Sequence, residues 1–239
     1  MDKILIVTLH GICSNIDASD AWQMDFNKWL KANYAADMTS KTLVHLPFSY
    51  GIIGPVWAFI INTMAWVGLS KFVAPFAAKL FRTFLTATAR NYPDYKVHIV
   101  AHSFGSWVSH EVLRDNSRGP WSLKIEGYHL FGAVISAHIQ KNWLDELLMS
   151  KQAQYCVVWS SRNDTVVRYL AVPPFGHLGY WGIIRDYHPE DRVKPTWQPY
   201  DYLRLYNRVI EYGHNECLTP ATFPKLMEDI QNEPKTENT

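Results

Sequence analysis

Cysteine is scarce in this chain. Three cysteines, Cys13, Cys156 and Cys217, are scattered over 239 residues, with neither the even count nor the spacing of a disulfide framework or a zinc site. Such usage fits a reducing compartment, and the expected location is cytoplasmic. The motifs H-E-x-x-H, C-x-x-C and G-x-G-x-x-G and a phosphate loop are also missing. The residues therefore offer no signature for metal, dinucleotide or nucleotide phosphate, and no metal or other cofactor is expected. Excess charge of one sign is lacking too. A formal net charge of +1 gives nucleic acid no electrostatic handle, and none is expected as a partner. The first apolar run, Ile4-Leu5-Ile6-Val7, is too short for a secretory signal and is followed by no cleavage site. It reads as a core strand.

One long segment lacks charge altogether. No Asp, Glu, Lys or Arg lies between Lys41 and Lys71, and Ile52 to Leu69 is almost wholly apolar. Its length borders on that of a membrane span. Pro55 near its start, Asn62-Thr63 in its middle and its place between two core strands argue instead for a buried helix or an apolar flap. Residues 52–74 are the flap or lid candidate. Contact with a membrane surface stays open on this reading, and a span is not expected.

What is present is globular: 48% hydrophobic and 19% charged residues, in a length that suits one α/β domain over residues 1–230 with a polar tail at 231–239. Apolar runs at Lys3–Leu9, Lys41–Leu46, Val97–Ala101, Tyr128–Ser136, Gln154–Ser160 and Leu205–Tyr212 predict about six strands. Helical patterns separate them, with Trp22, Phe26, Trp29 and Leu30 on one face of the first helix. Others are expected from about Pro75 to Arg90, Gly105 to Arg114, Asn142 to Gln152 and Thr219 to Ile230. Residues 165–202, rich in Pro, Gly, His and aromatics, read as an insertion. This alternation argues for a mainly parallel sheet with helices on both faces. Functional groups in such sheets gather at the carboxyl ends of the strands. His10-Gly11, Ser103, Asp164 and His214 each fall at such an end.

The stretch Val97-His98-Ile99-Val100-Ala101-His102-Ser103-Phe104-Gly105 reads as a strand, a sharp turn with serine at its apex, and a helix. A strained apex needs small neighbours, here Ala101 and Gly105. It resembles the nucleophile elbow of the α/β-hydrolase family, G-x-S-x-G, with alanine for the first glycine. Ser160-Ser161-Arg162-Asn163-Asp164-Thr165-Val166 is similar to the segment that carries the family's acid, and Tyr212-Gly213-His214-Asn215-Glu216 to its histidine loop. The order Ser103, Asp164, His214 is the family's order. The resemblance covers nearly the whole chain and implies an α/β-hydrolase fold in a compact form. It implies a serine esterase or lipase, with Ser103 as nucleophile, His214 as base and Asp164 as the acid that orients it. Backbone N–H groups of Ile12 and Phe104 would then form the oxyanion hole.

Of the ten histidines, His177 and His188 stand as rivals for the base. His177 follows Asp164 too closely to leave room for a crossover helix and a parallel strand. His102, beside the serine, receives no chemical role. His10, Gly11, Trp57 and Trp181 are candidates for lining a substrate pocket. The expected substrates are small-molecule carboxylic esters, lipidic ones included. Thioesters or amides would suit the same machinery, and a non-catalytic binding protein built on this fold is the alternative of another class.

Overall fold

The computed structural model describes residues 2–11, 21–49, 73–116, 124–138, 143–170, 176–183, 204–214 and 216–234. The elements run β1 (Ile4–Leu9), α1 (Ala21–Asn33), α2 (Ala35–Thr39), β2 (Leu43–Phe48), α3 (Ala74–Asn91), β3 (Lys96–His102) and α4 (Phe104–Asn116). They continue with β4 (Ile125–Phe131), α5 (Leu144–Met149), β5 (Ala153–Ser160), α6 (Thr165–Leu170), α7 (Leu178–Trp181), β6 (Leu205–Val209) and α8 (Phe223–Asn232).

Six strands form one sheet in the order β2-β1-β3-β4-β5-β6. Every neighbouring pair is parallel. Two-sided burial explains the continuous apolar strands, because each face of a parallel sheet is covered by helices. From Val97 to His102, β3 is buried throughout. One face packs on α3 and α4, through Ala77, Phe81, Leu85, Val108 and Val112. The spacing of Ala74, Ala77, Phe81, Leu85 and Thr88 keeps these side chains on one stripe of α3. The other face packs on α1 and α8, through Trp22, Phe26, Leu30, Phe223, Leu226 and Ile230.

Several boundaries differ from those expected. The fourth strand begins at Ile125 and stops at Phe131, where the sequence suggested Tyr128–Ser136. Gly132 takes a left-handed backbone conformation (φ +51°), which ends the ladder and turns the chain across the end of the sheet. The last strand is Leu205–Val209, shorter than expected, and α8 begins at Phe223 rather than near Thr219. The helix expected over Asn142–Gln152 is confined to Leu144–Met149. Among the described residues no helix is long and apolar enough to cross a membrane. Residues 52–72 of the flap candidate lie outside the described residues, as do 171–175 and 184–202 of the insertion.

Candidate active site

Ser103 stands between the end of β3 and the start of α4, with φ +52°. A non-glycine residue in this region carries about 1–3 kcal/mol of strain, held only where surrounding structure over-determines it. Here the Ser103 N–H donates to the Phe131 carbonyl at 2.9 Å, extending the ladder to β4. The Ser103 carbonyl accepts from the Ser106 N–H at 3.0 Å and from the Ser106 hydroxyl. Close packing explains the small neighbours. Ala101 is fully buried, and a β-carbon at Gly105 would stand 2.6 Å from the His10 carbonyl oxygen.

His214 lies beyond β6 and Asp164 beyond β5, so both reach Ser103 at the carboxyl ends of their strands. His214 Nε2 is 2.9 Å from Ser103 Oγ, and its Nδ1 is 2.8 Å from Asp164 Oδ2. A carboxylate only accepts, so Nδ1 carries the hydrogen and Nε2 presents its lone pair to the serine hydroxyl. The other carboxylate oxygen of Asp164, Oδ1, accepts the Val167 N–H at 2.8 Å. Asp164 therefore caps α6 with one oxygen and orients an imidazole with the other. All three side chains are at least nine-tenths buried. An imidazole held this way can take the hydroxyl proton as the oxygen attacks an electrophile, and the carboxylate steadies the imidazolium that forms.

Comparison with known proteins bears on the fold that carries this constellation. The family model described as "Alpha/beta hydrolase of unknown function (DUF900)" matches residues 68–171. Among curated proteins no sequence matches. The structure is similar to TT1662 from Thermus thermophilus, with 15% identity, 96% of this chain and 90% of that one covered, and a TM-score of 0.55. It is also similar to an uncharacterized protein from Bacillus cereus ATCC 10987, with 12% identity, 98% of this chain and 61% of that one covered, and a TM-score of 0.52. The chain thus spans 61% of the Bacillus protein's length. The all-parallel sheet with the elbow at the end of its third strand decides the fold. The chain has the α/β-hydrolase fold.

In this α/β-hydrolase fold the other candidate residues fall in different places. Ile12 and Trp57 lie outside the described residues, and so does the rival His188. Phe104 is the first residue of α4, and the N–H groups of a first helical turn sit at the positive end of the dipole. Gly11 backs onto the serine: a β-carbon there would stand 2.6 Å from Ser103 Cβ. His10 is buried, with Nε2 at 3.2 Å from Ser49 Oγ. Trp181 is half-buried, and the Arg162 guanidinium lies 4.2 Å from its ring centre. His177 is at the start of α7, where burial lowers its pKa. Among the described residues no group of three His, Cys, Asp or Glu side chains has the geometry to hold a metal ion.

Two residues beside Ser103, His214 and Asp164 were not picked out by sequence reasoning. A β-carbon at Gly132 would stand 2.9 Å from His214 Nδ1 and 3.1 Å from Asp164 Oδ2, so only glycine leaves those two side chains room to meet. The signal was available, since a lone glycine inside a strand pattern marks a bend or a close approach. The second residue is His102, whose Nε2 is 2.9 Å from the backbone oxygen of His214. Nothing in the local sequence signals that contact, because the two residues are 112 positions apart.

Proposed function

We propose that the protein is a serine hydrolase that cleaves carboxylic esters through an acyl-enzyme on Ser103. The observation that carries this reading is the hydrogen-bonded chain from Ser103 Oγ through His214 to Asp164. Ser103 Oγ attacks the ester carbonyl carbon while His214 Nε2 takes its proton. The carbon–oxygen bond to the alcohol then breaks, and the imidazolium returns the proton to the departing alkoxide. Water next attacks the acyl carbon, again losing its proton to His214. The acid leaves, and the proton returns to Ser103 Oγ. Asp164 stays ionised and holds the imidazole in the Nδ1–H form.

Charge developing on the carbonyl oxygen needs donors aimed at it beforehand, each worth about 3–4 kcal/mol. The backbone N–H groups of Phe104 and Ile12 fill this role in the proposal, by resemblance to the superfamily. The substrate is a small-molecule ester, lipidic esters included, and nucleic acid is not a partner. Gly11, His10, Trp57 and Trp181 are proposed to line the pocket, with residues 52–74 covering it. Location in the cytoplasm is supported by Cys156 and Cys217, both buried and free. A panel of p-nitrophenyl esters of short and long acyl chains, run beside matched thioesters and amides, tests the substrate class. Ester turnover exceeding the other two supports the reading, and exclusive thioester or amide cleavage replaces it.

A further inference from the structure

His214 sits on the loop after β6. Past Val209 the chain is tied by the Ile210 N–H to the Ser160 carbonyl at 2.9 Å and by the Asn163 side-chain amide to the Glu211 carbonyl at 2.6 Å. Glu211 and Tyr212 are exposed. At His214 itself the backbone oxygen accepts two buried donors, His102 Nε2–H at 2.9 Å and the Cys217 thiol at 3.0 Å. A thiol is a weak donor, so the imidazole is the stronger of the two ties.

The placement of His102 is specific. It is the last residue of β3 and is followed directly by Ser103. Its ring faces α1. Trp22 of α1 meets its ring edge-on at 6.5 Å. The His102 and His214 rings lie 4.8 Å apart. A carbonyl only accepts, so His102 carries its hydrogen on Nε2. Burial first, then the facing His214 and His10, drive its pKa down to about 3. It remains uncharged beside a histidine that must take up a proton.

We propose that His102 is a positioning residue, which fixes the backbone of His214 from the same strand end that fixes Ser103. One rigid element then sets both ends of the Ser103–His214 hydrogen bond, while Asp164 sets only the ring. The catalytic consequence rests on the hydrolase reading. The structural tie does not.

The test compares His102→Gln, whose amide nitrogen reaches about as far as Nε2, with His102→Leu in the full chain. If the leucine variant fails to fold, His102→Asn, too short to reach the carbonyl, replaces it. The first readout is the exchange of the His214 Nδ1–H with water, followed by nitrogen-15 NMR of labelled histidine. This exchange is expected to quicken about tenfold in the leucine variant and to return to within about twofold of wild type in the glutamine variant. The second readout is p-nitrophenyl ester hydrolysis. Here kcat is expected to fall about 10–100-fold in the leucine variant with KM little changed, and to be rescued by glutamine. Wild-type exchange in the leucine variant, or equal damage from both variants, overturns the proposal. Folded wild-type protein that shows no hydrolysis overturns the hydrolase reading instead, and the exchange measurement still decides the role of His102.

Discussion

Asp164 and His214 meet through a 2.8 Å hydrogen bond across fifty residues of chain. The second carboxylate oxygen is already committed to the Val167 N–H, so the carboxylate cannot rotate away without uncapping α6. Replacing Asp164 by Asn leaves an oxygen for Val167 and turns an NH₂ group toward His214 Nδ1. The imidazole would then carry its hydrogen on Nε2, the wrong nitrogen for accepting a serine proton. Asp164→Asn is expected to lower kcat on the order of 10⁴-fold, with the helix and the fold retained. Steady-state kinetics with circular dichroism check both halves.

Gly132 gives a sharper steric prediction. Alanine at this position must adopt φ +51° and place a methyl group within 3 Å of His214 Nδ1. Gly132→Ala is expected to reduce ester turnover at least about 100-fold by displacing the imidazole. The accompanying loss of stability is on the order of 1–2 kcal/mol. Turnover and denaturant midpoints, measured on the same preparation, separate the two effects.

Acid stability follows from the buried histidines. Burial lowers the pKa of His45 and His110 to about 4 and that of His98 and His102 to about 3, and holds His129 well below its ordinary value. Arg114, Lys96 and neighbouring histidines add to the shifts. Well above about pH 6.5, by a unit or more, neither folded nor unfolded chain protonates these rings, and they do not make stability depend on pH. Below it the unfolded chain binds protons that the folded chain excludes. Stability is lost as pH falls, by up to about 1.4 kcal/mol per pH unit for each histidine. The thermal midpoint is expected to drop by at least about 5 °C between about pH 7 and about pH 5. A flat profile in scanning calorimetry over that window would contradict this.

At the opposite face from Ser103's helix α4, Asp229 of α8 makes a two-pronged ion pair with Arg208 of β6. The bonds are 2.7 Å from Nη2 and 3.3 Å from Nε, and both side chains are buried. The Tyr155 hydroxyl donates to the Asp229 backbone oxygen at 2.8 Å, tying the helix to the sheet a second time. Truncating the carboxylate removes a buried, hydrogen-bonded counter-charge from the guanidinium. Asp229→Ala is expected to cost about 3–5 kcal/mol of stability. Ester turnover per folded molecule should stay unchanged, because the pair lies outside the reacting groups. Urea unfolding and active-site titration measure the two quantities separately.

Strand sequence in the chain was legible because a doubly covered parallel sheet makes each strand a continuous apolar run, as in Val97 to Ala101. The positions of Ser103, Asp164 and His214 were legible for a related reason: each follows such a run at its carboxyl end. Strand limits were less so. Gly132-Ala133-Val134-Ile135 is as apolar as the strand before it, and all four residues are buried. Composition therefore could not mark where the ladder stops, and the backbone turn at Gly132 does. The short helix α2 went unseen because none of its residues is buried, so it carries no apolar stripe. His102 was invisible as a contact of His214 because its partner is a backbone oxygen, which any residue type supplies.

The central claim is that Ser103 is the nucleophile, and active-site labelling tests it most directly. Incubation of the folded protein with a fluorophosphonate, followed by peptide mass spectrometry, is expected to place one covalent phosphonyl group on Ser103. Ser103→Ala should take up none and should lose ester hydrolysis on the order of 10⁴-fold or more in kcat. A folded wild-type protein that is not labelled, or a Ser103→Ala variant that is labelled as fast as wild type, would contradict the account.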